Sequence, residues 1–153
     1  MDRWMQAAWE EAKKGIEAGD GGPFGAVVVK EGEIIASGHN EVVKTNDPTA
    51  HAEMVAIRKA TATLQNFSLK GCDLYVTGEP CPMCFSAIHW AHLDHVYYCN
   101  TKADAAEIGF DDSLITEIIL GKVSDPIPFK HKPDNSCKKL FRQWYDDPDK
   151  VPY

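Results

Sequence analysis

Pro80-Cys81-Pro82-Met83-Cys84 is the stretch that decides the fold and the chemistry of this chain of 153 residues. It follows His51-Ala52-Glu53 by some thirty residues. Together the two runs supply three zinc ligands (one imidazole and two thiolates) and one free carboxylate. A P-C-x-x-C run is rare by chance at this length, whereas H-x-E is common, so the cysteine run carries most of the argument. Structural zinc sites usually close the metal with four protein side chains, so three ligands favour a catalytic centre with a position left for water.

No fourth ligand stands out among the other cysteines and histidines, because none of them forms a second C-x-x-C or H-x3-H pair with either motif. Cys72 and Cys99 flank strand-like runs, so each is expected to be a small core or edge residue. Cys137 lies in a basic, polar segment, and His89 has no assigned role. The sequence therefore predicts a zinc site with three protein ligands and one open coordination position.

Hydrophobic spacing predicts the elements of the first half of the chain. An amphipathic helix is expected over about 2–18, followed by a hairpin with strands at 24–30 and 33–37 joined at Glu31-Gly32. Thr49 is expected to cap a helix that starts near Ala50.

The zinc motif lies between two further strands. A strand over 73–77 leads into a helix over about 81–92, and a fourth strand follows at 96–99. Since parallel neighbours need a crossover helix between them, this order of elements indicates an α/β sandwich with a partly parallel sheet.

The last third of the chain, 101–153, reads as an extension of the single domain 1–153. Helices are predicted near 113–120 and 136–145, with a proline-bearing link at 125–128 between them.

Composition restricts the class of protein and the substrate. With 44% hydrophobic residues the chain can bury a substantial core as one domain. Its five cysteines, an odd number, follow no signal-like segment, so we expect free thiols in a reducing cytoplasm. No apolar run reaches membrane-spanning length. A net charge of −7 with scattered basic residues argues against nucleic acid and favours a small, uncharged substrate.

The positions of the motifs suggest how such a site works. His51 and Cys81 are each expected in the first turn of a helix, where the helix dipole favours anionic ligands. Cys81 and Cys84 share a helix face, so both sulfurs reach one ion. His51 and Glu53 are two residues apart, so both address one pocket only if it lies off the end of the helix. Glu53 would then take a proton from water whose pKa zinc lowers towards about 7.

At these residues the chain resembles the cytidine deaminase superfamily, and within it the bacterial guanine deaminases. The likeness to the latter extends over Gly22 to Val27, Asn46 to Glu53, Glu79 to Trp90 and Asp104 to Asp112, and includes the terminal Tyr153. The resemblance implies a three-layer α/β/α sandwich around a central mixed sheet of about five strands, with a C-terminal helical extension.

The same resemblance implies the roles of particular residues. His51, Cys81 and Cys84 bind one Zn²⁺, and Glu53 shuttles protons. The base pocket is shaped by Asn40, Phe24, Trp90, Asp112, Tyr153 and Ala52. It also implies a homodimer that exchanges the C-terminal segment, so that Tyr153 closes the partner's pocket.

Each of these residues also has a purely structural interpretation. Glu53 would suit the start of any helix, and Asn40 would suit a turn at the end of a strand. Phe24 and Trp90 would suit the core, and Asp111 or Asp112 would suit the cap of a helix.

The expected reaction is zinc-dependent hydrolysis of guanine to xanthine and ammonia. Alternatives with the same chemistry are guanosine, cytosine or cytidine, the amino-triazine ammeline, and adenosine in transfer RNA. An alternative of another class is a zinc-binding interaction domain without catalysis.

Overall fold

Four strands form one mixed sheet in a computed structural model that describes residues 1–153. The spatial order is β2-β1-β3-β4. β1 pairs antiparallel with both β2 and β3, whereas β3 and β4 run parallel. The strands are β1 (Gly25–Lys30), β2 (Glu33–His39), β3 (Cys72–Gly78) and β4 (His95–Asn100).

The partly parallel sheet is confirmed, but the expected number of about five strands is wrong. After β4 the chain turns at once into a helix, because Thr101 and Asp104 form a capping box. The Thr101 side chain accepts from the backbone N–H of Asp104, and the Asp104 carboxylate accepts from the backbone N–H of Thr101. No later segment pairs with β4, which remains an edge of the sheet.

Seven helices accompany the sheet, and three of them build the outer layers. The α1 helix covers one face, and α3 and α4 cover the other. This is the predicted three-layer α/β/α sandwich. The helices are α1 (Arg3–Ala18), α2 (Val42–Thr45), α3 (Ala52–Leu64), α4 (Pro82–Trp90), α5 (Lys102–Glu107), α6 (Ser113–Ile119) and α7 (Asn135–Asp146).

Side chains that alternate along the central strands form an apolar core on both faces of the sheet. On β1, Val27 and Val29 meet Met5 and Ala8 of α1, while Val28 faces the other layer. Successive strand side chains point to opposite faces, so an almost wholly apolar strand is what a sheet covered on both sides requires. The core under α3 and α4 includes Ala52, Ala56, Ala60, Leu74, Val76 and Ile88.

Local signals set the ends of the first elements. The Asp2 carboxylate accepts from the backbone N–H groups of Trp4 and Met5 and so caps α1. The hairpin turns at Glu31 and Gly32, whose φ angles are +50° and +79°, as a two-residue turn that follows the strand twist requires.

Thr49 does not cap α3, which begins two residues later than expected. The Asp47 carboxylate accepts from both the backbone N–H and the hydroxyl of Thr49, so this residue belongs to a turn. His51 is the residue that precedes the first helical position. Cys81 has the same place before α4, with Pro82 in the first turn.

The C-terminal extension contributes little to this core. Ala91 is the last buried residue of the chain, and every residue from 121 to 149 is exposed. The predicted helices near 113–120 and 136–145 are present as α6 and α7. None of the helices combines the length and the apolar character that crossing a bilayer requires.

Gly25 brings α1 against the sheet at the end that carries the zinc motif. A Cβ atom at this position would lie 2.1 Å from the Ala8 carbonyl oxygen and 2.4 Å from the Ala12 nitrogen, which are both backbone atoms of α1. The backbone of a packed helix cannot yield as a flexible side chain does, so only glycine fits here.

We therefore expect Gly25→Ala to lower the free energy of unfolding by about 3 kcal/mol, the upper range for overpacking. The control is Gly71→Ala, where φ is +85° but nothing lies within 4 Å of the added carbon. Its expected cost is about 1–2 kcal/mol, from conformation alone. Urea denaturation of the zinc-loaded protein measures both, and equal costs would contradict the steric explanation.

Candidate active site

One end of the sheet gathers the segments that carry the predicted site. β2, β3 and β4 finish at this end, and the antiparallel β1 starts there. The site residues therefore lie just before β1 or just after the other strands: Phe24, Asn40, Glu79, Cys81 and Lys102. The carboxyl ends of strands are a common position for ligand sites in α/β proteins.

The three predicted metal ligands come together at this end. Nδ1 of His51 lies 3.5 Å from Sγ of Cys81 and 3.6 Å from Sγ of Cys84. All three ligand atoms fall within 4.8 Å of one another. His51 and Cys81 directly precede α3 and α4, so the N-termini of both helices meet at the cluster.

These separations fit a zinc ion. Tetrahedral bonds of about 2.3 Å to sulfur and about 2.0–2.1 Å to nitrogen place the two donor atoms about 3.5 Å apart. One imidazole and two thiolates are also the donor types that zinc prefers. No fourth side chain joins the cluster, so a tetrahedral ion keeps one position for water or substrate.

The three metal ligands shift one another's pKa values. Hydrogen bonds from the Cys84 thiol and from His51 lower the pKa of Cys81 to about 4, although burial opposes the shift. The same thiolate raises the pKa of Cys84, and burial adds to it. The hydrogen bond to Cys81 also raises the pKa of His51. One thiolate is thus preformed, and a divalent cation is needed to hold the second.

Glu53 lies in the first turn of α3, directed into the same space. It is only 6% exposed, and burial raises its pKa above the ordinary value. A buried carboxylate that merely stabilised a helix dipole would be better placed in solvent. Its position beside three metal ligands, with a pKa moved towards neutrality, suits a group that takes up and gives back a proton.

A cavity of about 290 Å³ adjoins the metal ligands. This lies at the low end of the volumes of small-molecule sites and suits a single heterocycle. Apart from His51, Cys81 and Glu53, its lining comprises Phe24, Asn40, Gly78, Glu79, Lys102, Ala105, Gly109, Phe110, Asp111, Asp112 and Ile115. A wider groove of about 870 Å³ between α4 and β4 shares Glu79 and Lys102 but contains no metal ligand.

Asn40 and Phe24 form one wall of the cavity. The Asn40 backbone N–H donates to the Phe24 carbonyl over 3.0 Å, and Oδ1 of Asn40 accepts from the Val42 N–H over 3.1 Å. The side-chain NH₂ group is left to donate into the cavity. The rings of Phe24 and Phe110 meet edge to face, with centroids 5.0 Å apart, and add an aromatic surface.

Asp111 and Asp112 both line the cavity, but they differ in what they bind. The Asp111 carboxylate accepts from the backbone N–H of Ser113, which lowers the pKa of Asp111. Asp112 makes no capping hydrogen bond to α6 and lies 3.8 Å from Nζ of Lys102. Asp111, and not Asp112, therefore bonds the start of α6. The carboxylate oxygens of Asp112 are available to a ligand.

Trp90 and Tyr153 do not line this cavity, and neither does the side chain of Ala52. Trp90 is the last residue of α4, 65% exposed, with its ring centroid 6.0 Å from that of Tyr153. Ala52 is fully buried in the core. Within the single chain, neither Trp90 nor Tyr153 reaches the cavity.

Glu79 and Lys102 are among the cavity residues that sequence reasoning missed. The Glu79 carboxylate accepts from the Lys102 backbone N–H over 3.0 Å and joins the end of β3 to the start of α5. Glu79 directly precedes the Pro80-Cys81 motif, which could have indicated it. Nothing near Lys102 in the sequence marks that residue.

Comparison with known families agrees with this geometry. Residues 1–100 match the family described as the cytidine and deoxycytidylate deaminase zinc-binding region. The matched part includes both motifs and all three metal ligands.

Individual relatives extend the match. The chain is 46% identical to guanine deaminase of Bacillus subtilis over 153 residues, which is 99% of this chain and 98% of that protein. The crystal structure of that protein superposes with a TM-score of 0.94 over 100% of this chain and 99% of that one, at 45% identity.

Two other relatives match less completely. A guanine deaminase structure from Nitrosomonas europaea shows 30% identity and a TM-score of 0.68, covering 91% of this chain and 70% of that one. A transfer-RNA-specific adenosine deaminase of Aquifex aeolicus is 47% identical over 95 residues, 62% of each chain.

The motifs, the ligand geometry and these matches agree with one another. His51, Cys81 and Cys84 are positioned to bind one zinc ion, with a buried glutamate beside them. The resemblance noted in the sequence is thereby confirmed: the chain belongs to the cytidine and deoxycytidylate deaminase family and is a zinc-dependent aminohydrolase.

Proposed function

We propose that this enzyme deaminates free guanine, giving xanthine and ammonia. The observation that carries the proposal is the match to a guanine deaminase over the whole chain, including the extension after residue 100, where half of the cavity lining originates. The matches to transfer-RNA-specific adenosine deaminases cover 95 to 111 residues, 62% to 72% of this chain.

The polar groups of the cavity suit guanine. The base presents N–H donors beside the amino group to be removed, and the Asp112 carboxylate accepts from such donors. The Asn40 NH₂ group donates to a ring nitrogen or carbonyl. Phe24 contributes an apolar surface for the flat ring, together with Phe110. Ala52 remains a predicted contact through its backbone, because its side chain faces the core.

Glu53 moves the protons of the reaction. Zinc, when bound by His51 and the two cysteines, supplies a Lewis acid that activates water at neutral pH. Glu53 accepts a proton from that water as the oxygen bonds to C2 of guanine. It then gives the proton to the adjacent ring nitrogen.

The carbon–nitrogen bond breaks in the second half of the reaction. The remaining water proton passes through Glu53 to the amine, which leaves as ammonia. One water molecule is consumed, and the ring carbon keeps its oxygen as the new carbonyl of xanthine. The raised pKa of Glu53 favours this exchange, because burial makes its carboxylate a stronger base than it would be in water.

Other amines compete as substrates, and adenosine in transfer RNA has support from relatives. A net charge of −7 weighs against it, because phosphate neutralisation supplies much of the affinity for RNA. The small cavity favours a free base over guanosine, cytidine or a polynucleotide. Ammeline and cytosine remain to be compared directly with guanine. A non-catalytic zinc domain would leave the buried Glu53 without a purpose.

The active form in this proposal is a homodimer that exchanges the end of the extension 101–153, since residues 102–115 already line the cavity of their own chain. Exposed apolar side chains along the extension support it, with Phe129 85% and Phe141 79% exposed. Contacts with a second copy would bury them. Tyr153 of one subunit then closes the partner's cavity, since within one chain it lies against Trp90. We place the enzyme in the cytoplasm, in keeping with five cysteines of which none forms a disulfide.

The first test replaces the proton shuttle. We expect Glu53→Gln to keep one zinc per chain and to lose about 10²–10⁴-fold in kcat on guanine, because the amide cannot exchange protons. Xanthine formation followed in the ultraviolet and elemental analysis measure the two quantities. Glu10→Gln, on the exposed side of α1, is the control and should match the wild type. Turnover retained in Glu53→Gln would contradict the mechanism.

The neighbouring aspartates test the substrate. Asp112→Asn should lower kcat/KM for guanine about 10–100-fold, because a hydrogen bond to a charged group contributes about 1.5–3 kcal/mol. Asp111→Asn should change it less than about threefold, since asparagine still accepts from Ser113. Guanosine, cytosine, adenine and ammeline are assayed in parallel. Faster turnover of any of these than of guanine would shift the substrate assignment.

Mixed dimers test the exchange of segments. A chain lacking Val151 to Tyr153 and a Glu53→Gln chain should each be inactive. If Tyr153 acts on the partner, unfolding and refolding the two together forms dimers in which one cavity has both Glu53 and Tyr153, so activity returns. With equal amounts, half of the dimers carry one such cavity. Activity that stays at the level of the separate variants would place Tyr153 elsewhere, and light scattering establishes the dimer itself.

A further inference from the structure

His39, the last residue of β2, lies between two carboxylates. Its Nδ1 is 3.2 Å from Oε2 of Glu11 on α1, and its Nε2 is 2.7 Å from Oδ2 of Asp20 in the turn after α1. The three side chains are only 13–15% exposed. We call these three residues the histidine clamp. It stands next to Asn40 in the chain but outside the metal centre.

Both contacts of the clamp are hydrogen bonds to ionised carboxylates only when the ring is doubly protonated. A neutral imidazole carries one N–H, whereas two ionised carboxylates can only accept hydrogen bonds. Both carboxylates are kept ionised. Hydrogen bonds from Lys14 and His39 lower the pKa of Glu11 against the opposing effect of burial, and the bond from His39 lowers that of Asp20. The surrounding charges are Lys14 beside Glu11, Lys44 beside Asp20, and Glu41 beside Lys44.

The clamp is connected to the cavity through the start of α2. The Asp20 carbonyl accepts from the backbone N–H groups of Val43 and Lys44, each over 3.0 Å. Oδ1 of Asn40 accepts from the N–H of Val42. Asp20 and Asn40 thus accept hydrogen bonds from the first three backbone N–H groups of α2, a helix of only four residues. A shift of Asp20 therefore moves the donor that orients the Asn40 amide.

Tight contacts on the other sides leave the clamp little freedom. A Cβ atom at Gly15 would lie 2.8 Å from Cδ2 of His39, so the ring sits directly on the backbone of α1. The Asn40 backbone is held by Phe24, and the residue is 5% exposed. The His39 ring and the Asn40 backbone are thus held in place. A change in the charge of His39 therefore acts through Asp20 and the start of α2.

We propose that His39 is a positioning residue for substrate binding: as an imidazolium it holds Asp20, and through the start of α2 it fixes the Asn40 amide that faces the base. This role rests on the proposed function to the extent that Asn40 contacts the substrate. It predicts an effect on KM and leaves the metal and the proton shuttle untouched.

Two variants separate this role from general stability. In His39→Gln one carboxylate loses its donor, so KM for guanine should rise about tenfold, as for one lost hydrogen bond, with kcat within about twofold. In Asp20→Asn the new NH₂ group can donate to a neutral His39, so the clamp no longer needs the second proton. His95→Gln is the control, since it breaks an exposed pair with Asp73 and should change neither constant.

The pH profile is the decisive kinetic readout. Raising the pH until His39 loses its second proton should raise KM in the wild type, while kcat does not follow that change. Asp20→Asn should lack the rise, and His39→Gln should have a high KM throughout. Identical KM profiles for the wild type and Asp20→Asn would overturn the proposal. A lower kcat in His39→Gln, in place of a higher KM, would also overturn it. So would a loss of activity in His39→Gln that is proportional to the loss of folded protein seen by circular dichroism.

A substrate-free measurement keeps the proposal apart from the proposed function. Nitrogen-15 NMR of the zinc-loaded protein should show both His39 nitrogens protonated at neutral pH. The Asn40 side-chain resonances, assigned with Asn40→Gln, should shift as His39 titrates. If guanine is not deaminated by the wild type, the proposed function fails while this result still stands. A singly protonated His39 at neutral pH, or an Asn40 amide indifferent to its titration, would overturn the clamp.

Discussion

The convergence of two helix N-termini on one set of ligands is the constraint on which the rest of the structure depends. His51 and Cys81 each occupy the residue before a helix, and their donor atoms lie 3.5 Å apart. That proximity requires β3 to deliver Cys81 to the end of the sheet where α3 begins, with α3 and α4 side by side on one face. The parallel pairing of β3 and β4 follows, because α4 must cross back over the sheet.

The site also retains features that a fold selected for stability alone would avoid. Glu53 is buried, and burying a carboxylate costs free energy unless it is paired or protonated. Two cysteines share one space, where the thiolate of Cys81 raises the pKa of Cys84. A divalent cation relieves both costs, since it holds the two thiolates and adds a positive charge near the carboxylate. The metal is therefore part of the folded state as well as of the chemistry.

Around this centre the substrate cavity is assembled from parts of different rigidity. Phe24 directly precedes β1 and Asn40 directly follows β2, and a backbone hydrogen bond joins the two residues. Asp112 and Phe110 come from the segment after β4, where no residue is buried. The polar network around His39 stabilises the first wall, and a second subunit would be needed to cover the other. A small core can thus keep the metal chemistry constant while the extension determines which amine reaches it.

The sequence by itself determined the metal ligands, the glutamate beside them, the α/β class and most element positions. These depend on local rules: ligand spacing within one helical turn, alternation along strands, and glycine at a turn. Only the tertiary structure decided that the sheet has four strands, that Glu79 and Lys102 line the cavity, and that Trp90 and Tyr153 do not. It also decided that Asp111 bonds the start of α6 while Asp112 is available to a ligand. Such contacts join elements distant in the chain, so they depend on how helices and strands pack and leave no periodic signal in the sequence.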